Sequence, residues 1–257
     1  MGKLVTSAIS IVSALIIFAS CNNYSQPISG IDNKPDTAKP FITTSFKGTT
    51  YPAIFEAAFY SDTKVLQGDF HYSFYNYDIG KIRIESGKII ACDPIVMDDT
   101  SPFTQMFPIG EFPVHLAMAK TYNDERVAFS RIVFSVNPIS KWEFALQKDQ
   151  KPISLKDTNY YCYGVDAGTG IFIDSISNIR FNQQPRSEWD NVFITKAEKN
   201  GYKGYIHDFE GTNLATFLTG YGDGCYATYI GFDKEGKVCQ LLTDFEIVEW
   251  SKLEENK

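Results

Sequence analysis

A β-rich α+β domain is the fold class this sequence predicts, with antiparallel, sandwich-like sheets and one substantial helix near residues 188–200 packed on them. Three observations predict it. Aromatic residues form 15% of the chain, with 20 Phe and 15 Tyr, and aromatics suit the pleated, half-buried surface of strands. Apolar and polar residues alternate over short windows bounded by Gly, Asn and Asp turn signals. A single long window carries helical spacing.

The N-terminus is a different kind of segment. Lys3 precedes an apolar run from Leu4 to Ala19 that is too short for a stable membrane span. Phe18-Ala19-Ser20-Cys21 ends the run, and small residues directly before a cysteine resemble the lipobox of a bacterial lipoprotein precursor. That resemblance implies cleavage after Ser20 and acylation of Cys21, making residues 1–20 a lipoprotein signal peptide. Phe18 departs from the usual Leu. The expected address is the cell envelope, as a membrane-anchored lipoprotein facing the periplasm or the surface, with the membrane as partner through the lipid on Cys21. Residues 21–40 are polar, carry Pro27, Pro35 and Pro40, and read as a flexible tether. Residues 41–257 remain as a single globular domain.

Within that domain, Tyr51-Pro52 before Ala53–Tyr60 predicts a short helix with Pro in its first turn. Ile82 and Ile84 alternate with charged neighbours, Ser86-Gly87 makes a turn, and Lys88–Cys92 returns, which predicts a hairpin pairing Ile84 with Ile89. A second hairpin is expected from Val114–Tyr122 and Arg126–Val136, turning at Asn123-Asp124. Lys141–Gln147 and Tyr160–Asp166 add strands. Ser187 is the expected cap of the long helix, with Trp189, Val192, Phe193 and Ala197 on its docking face and Gly201 as its stop. Asn213–Thr219, Cys225–Phe232 and Lys237–Glu246 complete the strands.

The formal charge is −7 over the whole chain, and loss of Lys3 makes it −8. An acidic body without a Lys/Arg cluster repels phosphate backbones, so nucleic acid is not an expected partner. Of five cysteines, Cys21 is the lipid attachment and Cys92, Cys162, Cys225 and Cys239 remain. Four cysteines allow three connectivities. Cys225–Cys239 is disfavoured: if Asp233–Gly236 is a hairpin tip, Cys239 faces Ile230, on the order of 17 Å along the strand from Cys225. Buried, unpaired thiols are the other reading.

No nucleophile elbow, zinc-protease helix, Walker loop or dinucleotide fingerprint is present. His71, His115 and His207 lack the spacing of metal ligands. What remains is acidic. In the hairpin register above, Cys225 opposes Asp244 and Asp223 opposes Glu246, which places Asp223, Asp244 and Glu246 on one face, with Asp166 and Asp174 near the Gly168/Gly170 turn. Such a cluster suits a divalent cation or an acid/base pair. In the plainer reading, Asp166 and Asp223 accept backbone amides within Gly-rich turns.

Several segments together resemble one bacterial family, called domain of unknown function 4241. They are Gly80–Ile82 with Ser86–Pro94, then Gly110–Val114, Lys141–Leu146, Tyr163–Gly170 with Asp174, and Thr219–Gly224 with Gly231–Asp233 and Leu242–Phe245. Five blocks in order span residues 80–246. Tyr221 stands where the family pattern suggests Trp. The resemblance implies a fold and a set of positions, and no activity. The expected function is therefore a non-enzymatic binding or interaction module with a protein partner, immunity-type pairs included. The alternative is a carboxylate- or cation-dependent hydrolase acting on an envelope substrate.

Overall fold

The structure, a computed structural model, describes residues 41–47, 50–157 and 159–253. The expected signal peptide, Cys21 and the tether lie outside these residues. No described helix is long and apolar enough to cross a membrane.

The described chain opens with β1 (Phe41–Thr43), the short α1 (Ile54–Ala57), β2 (Lys64–Gln67) and the long β3 (Phe70–Ile84). β4 (Ile89–Cys92), β5 (Gly110–Thr121), β6 (Asp124–Val133) and β7 (Lys141–Phe144) follow. Next come β8 (Tyr163–Val165), β9 (Thr169–Asp174) and α2 (Ser175–Phe181). α3 (Arg186–Asp190) then runs through a π-helical stretch, Asn191–Lys196, into α4 (Ala197–Lys199). The chain finishes with β10 (Gly204–Phe209), β11 (Thr212–Leu218), β12 (Gly224–Tyr226), β13 (Thr228–Phe232), β14 (Val238–Asp244) and α5 (Trp250–Leu253).

Eight strands form one antiparallel sheet in the order β1-β2-β3-β5-β6-β14-β13-β7. Four more form a second sheet, β10-β11-β9-β4, and β12 pairs with β8 alone. Period-two alternation decides which core each side chain joins. On β5, Val114, Leu116 and Met118 face the second sheet and meet Phe172 and Phe217 there. Ala117 and Ala119 face the opposite way, toward α1, where Phe55 fills the centre of another core with Trp142 and Tyr229. The far side of the four-stranded sheet is covered by helices, where Ile171, Ile173 and Leu214 meet Phe181, Trp189 and Val192. The β-rich sandwich with helices laid on it is therefore what the sequence predicts.

The structure differs from expectation at five points, the smallest being the β5–β6 turn, which is Tyr122-Asn123 rather than Asn123-Asp124 because Asp124 already pairs with Thr121. Ser86-Gly87 is a turn but joins no hairpin. Ile84 pairs with Gly110 in the large sheet, whereas Ile89 pairs with Asp174 in the small one. The chain changes sheets here because the buried Asp174 Oδ2 accepts the Glu85 and Ser86 amides at 3.1 and 2.9 Å and the Ser86 hydroxyl at 2.7 Å. Gly87, at φ 72°, makes the bend; a Cβ there would sit 2.9 Å from the Phe107 carbonyl oxygen.

The long helix starts one residue before its expected cap. Pro185 occupies the N-cap position with an extended backbone, and Ser187 lies inside the first turn. Its stop is as expected, with Gly201 at φ 67°.

The final hairpin turns at the expected tip, where Asp233 Oδ1 accepts the Glu235 and Lys237 amides, both at 2.9 Å. Its register differs by two residues: Ile230 faces Leu241 rather than Cys239, and an irregularity lies between Gly231 and Phe232. Upstream, β12 leaves the hairpin, so Cys225 faces Gly164 and not Asp244.

Cys225 forms a disulfide with Cys162 at a Cα–Cα distance of 5.3 Å, while Cys92 and Cys239 are buried free thiols. Burial pushes the Cys92 thiol up to about 12, which keeps it protonated and unreactive at neutral pH.

Candidate functional site

The five acidic candidates fall into three places. Asp174 ends β9 with a fully buried carboxyl group. Its Oδ1 caps α2 by accepting the Ile176 amide at 2.9 Å, and its Oδ2 holds the crossover at Glu85 and Ser86. With four donors on its two oxygens it is a clamp between the sheets, not a ligand for a cation.

Asp166 and Asp223 take the next positions beyond the Val165–Gly224 pair that ends the small β8–β12 ladder. Both are exposed. Neither carboxylate accepts a hydrogen bond from a described residue, so the amide-accepting role expected of them is not theirs. Asp93 performs it instead, its Oδ2 accepting the Asp166 and Ala167 amides at 2.7 and 2.8 Å.

Asp244 and Glu246 share a cleft of about 430 Å³ at the end of β14. Asp244 is 3% exposed; its Oδ1 accepts the Glu246 amide at 2.9 Å and its Oδ2 the Trp250 indole N–H at 2.8 Å. Burial pushes its carboxyl up to about 7 against the opposing pull of those two donors. Those bonds shape the turn after β14 and place Trp250 as a wall. Glu246 stands at the mouth, exposed, with φ 55° and the Tyr160 hydroxyl donating to its Oε1 at 3.2 Å.

Phe144, Tyr229 and Trp250 form the aromatic lining, with Phe144 and Tyr229 centroids 5.0 Å apart. Asp157 and Glu249 stand on the rim. The negative field is visible in the phenols around it. Glu246, with burial and Asp244, raises the pKa of Tyr160. Burial, then Asp244 and Glu246, raises that of Tyr229. Tyr226 is raised by burial and by Glu246, Asp223 and Asp244, so Asp223 contributes to the same field from a distance.

Among the described residues, no group of three or more His, Cys, Asp or Glu is placed to hold one metal ion. The arrangement suits a cationic group: carboxylates supply charge, and aromatic faces attract an ammonium or guanidinium. The walls at Tyr160 and Trp250 carry no motif signal; the cue in sequence is a lone Trp following the acidic Glu246 and Glu249.

A family described as protein of unknown function (DUF4241) matches residues 82–243. The chain belongs to DUF4241. The matched region runs from the end of β3 almost to the end of β14; it takes in the whole four-stranded sheet and leaves β1, β2 and most of β3 of the large sheet outside. No curated protein and no solved structure matches the chain. Inside the DUF4241 region, the buried aspartates Asp93, Asp174 and Asp233 all accept backbone amides at turns. They are positions the fold itself requires. Glu246 and Trp250 lie beyond the DUF4241 match, so the cleft draws on the segment that follows the family region.

Proposed function

We propose that this DUF4241 protein is a lipid-anchored, non-enzymatic binding module of the cell envelope, whose acidic cleft takes a basic segment of a protein partner. The observation that carries the reading is the pairing of exposed Glu246 with the aromatic walls of Phe144, Tyr229 and Trp250. A lysine or arginine side chain gains both charge complementarity and cation–π contact in such a cleft. The net charge of −7 attracts basic partners at long range. The lipobox-like Cys21 supports the anchor, and the Cys162–Cys225 disulfide supports an oxidising compartment.

Titration of the full chain in detergent with an oligolysine peptide, read through tryptophan fluorescence, tests this. Binding should weaken with salt, and Glu246→Gln should lower affinity about fivefold, the scale of one partly exposed charge. Equal affinity for an oligoglutamate peptide, or an unchanged Glu246→Gln, would overturn the reading.

One observation favours a hydrolase instead: Asp244, lifted to about 7, stands beside a second carboxyl group, as acid/base pairs do. Against it, both Asp244 oxygens are already filled by N–H donors. Turnover of an envelope polymer that disappears in Asp244→Asn would favour the hydrolase.

A further inference from the structure

A second cleft, of about 530 Å³, opens beside Arg131 on the same sheet face. Arg131 stands on β6 opposite His115 of β5 and Leu242 of β14, near the middle of the large sheet. The Phe59 ring lies 3.6 Å from its guanidinium carbon and holds the plane in place. Nη1 donates to Gln240 Oε1 and Nη2 contacts His115 Nδ1, both at 3.3 Å. His115 is kept neutral by burial and by Arg131 itself, so its Nδ1 can only accept here.

A guanidinium has five N–H donors, so three of Arg131's have no partner among the described residues. Its Nε is buried with none. No described carboxylate forms an ion pair with it. Glu56 lines the same cleft and attracts Arg131 across it, but makes no hydrogen bond to it: its carboxyl accepts the Thr50 hydroxyl at 2.6 Å, and burial pushes it up. A half-buried cation whose N–H donors go unpaired is costly to the fold. Desolvation has already lowered this arginine's pKa to about 10. The cleft around it is mixed, with an apolar part: Ile139 is buried in its wall, and Tyr60 and Val136 stand exposed at its mouth.

We propose that this cleft binds a small organic carboxylate with an apolar body, its two oxygens taking the free Nη donors of Arg131 and its body resting on Tyr60, Val136 and Ile139. The planar fork of arginine matches a carboxylate in two parallel hydrogen bonds. A volume of this size holds a compact organic molecule. The ligand answers N–H donors that no described residue pairs. This site is separate from the acidic cleft and takes the opposite charge.

The test is calorimetry on the full chain with 3-phenylpropionate, its neutral alcohol 3-phenylpropanol, and inorganic phosphate. The acid should bind, and the alcohol about tenfold more weakly, since it cannot satisfy the charge. Arg131→Lys, which keeps the charge but loses the fork, should weaken the acid about tenfold. Val136→Asp changes a residue 96% exposed, so it leaves folding intact; its carboxylate at the mouth should also weaken the acid. Equal binding of acid and alcohol, unchanged affinity in folded Arg131→Lys, or phosphate binding more tightly than the acid would each overturn the proposal.

Discussion

The two clefts flank α1 on one face of the large sheet and treat a charged side chain in opposite ways. In one, Asp244 has both oxygens filled, by a backbone amide and by the Trp250 indole. In the other, Arg131 keeps three donors unanswered. A buried charge with complete partners belongs to the scaffold, and one with missing partners belongs to whatever completes it. By that criterion Asp244 shapes its cleft, and in the roles proposed above the exposed Glu246 would meet the partner and Arg131 the ligand. α1 divides them: Phe55 packs on Tyr229 and Trp250, with centroids 4.7 and 5.5 Å away, while Glu56 faces the Arg131 side.

The largest effect should come from removing the divider. Phe55 is fully buried against Phe129, Trp142 and Tyr229. Phe55→Ala should cost about 3–5 kcal/mol, lowering Tm by roughly 6–15 °C in calorimetry, and should weaken ligands of both clefts. A change in one cleft alone would break the view that α1 supports both.

Reduction of Cys162–Cys225 comes next. Its ends are 63 residues apart in sequence, and opening it should cost about 2–4 kcal/mol. Tyr160, which donates to Glu246, lies two residues from Cys162. Oligolysine affinity should therefore fall on reduction while 3-phenylpropionate affinity holds, and equal losses would show that the clefts are not separately supported.

The third effect is a pH slope confined to the acidic cleft. Burial lifts Asp244 in the folded protein to about 7 from an ordinary 3.8. Between those values the folded chain holds a proton that the unfolded chain releases. This group's contribution to stability therefore falls as pH rises from about 4 to about 7. Wild type should lose Tm relative to Asp244→Asn across that window, and parallel Tm curves would place the carboxyl near its ordinary value.

Local pattern made the β5–β6 hairpin, the Asp233–Gly236 tip and the Gly201 stop legible, because each is decided by residues within a few positions. The Ser86-Gly87 crossover was not, since its cause is Asp174, far along the chain. The last hairpin kept its faces because a shift of two preserves side-chain alternation, yet Cys225 was misplaced once β12 turned away to β8. Asp244 and Glu246 were found together because they sit two apart on one chain segment. Arg131 was invisible: its meaning lies in Phe59, His115 and Gln240 from other elements.

The strand order carries a consequence for how the molecule is made. β6 sits between β5, its neighbour in sequence, and β14, which pairs Gln240 with Val133 from the far end of the chain. A nascent chain therefore completes β3, β5 and β6 long before the strand that covers β6 exists. Until Asp244 has emerged, β6 presents a bare hydrogen-bonding edge and the apolar Ala128 and Phe129. Assembly must wait for the C-terminus, so folding should be slow for the protein's size, and a chain cut before Val238 should aggregate rather than fold in part.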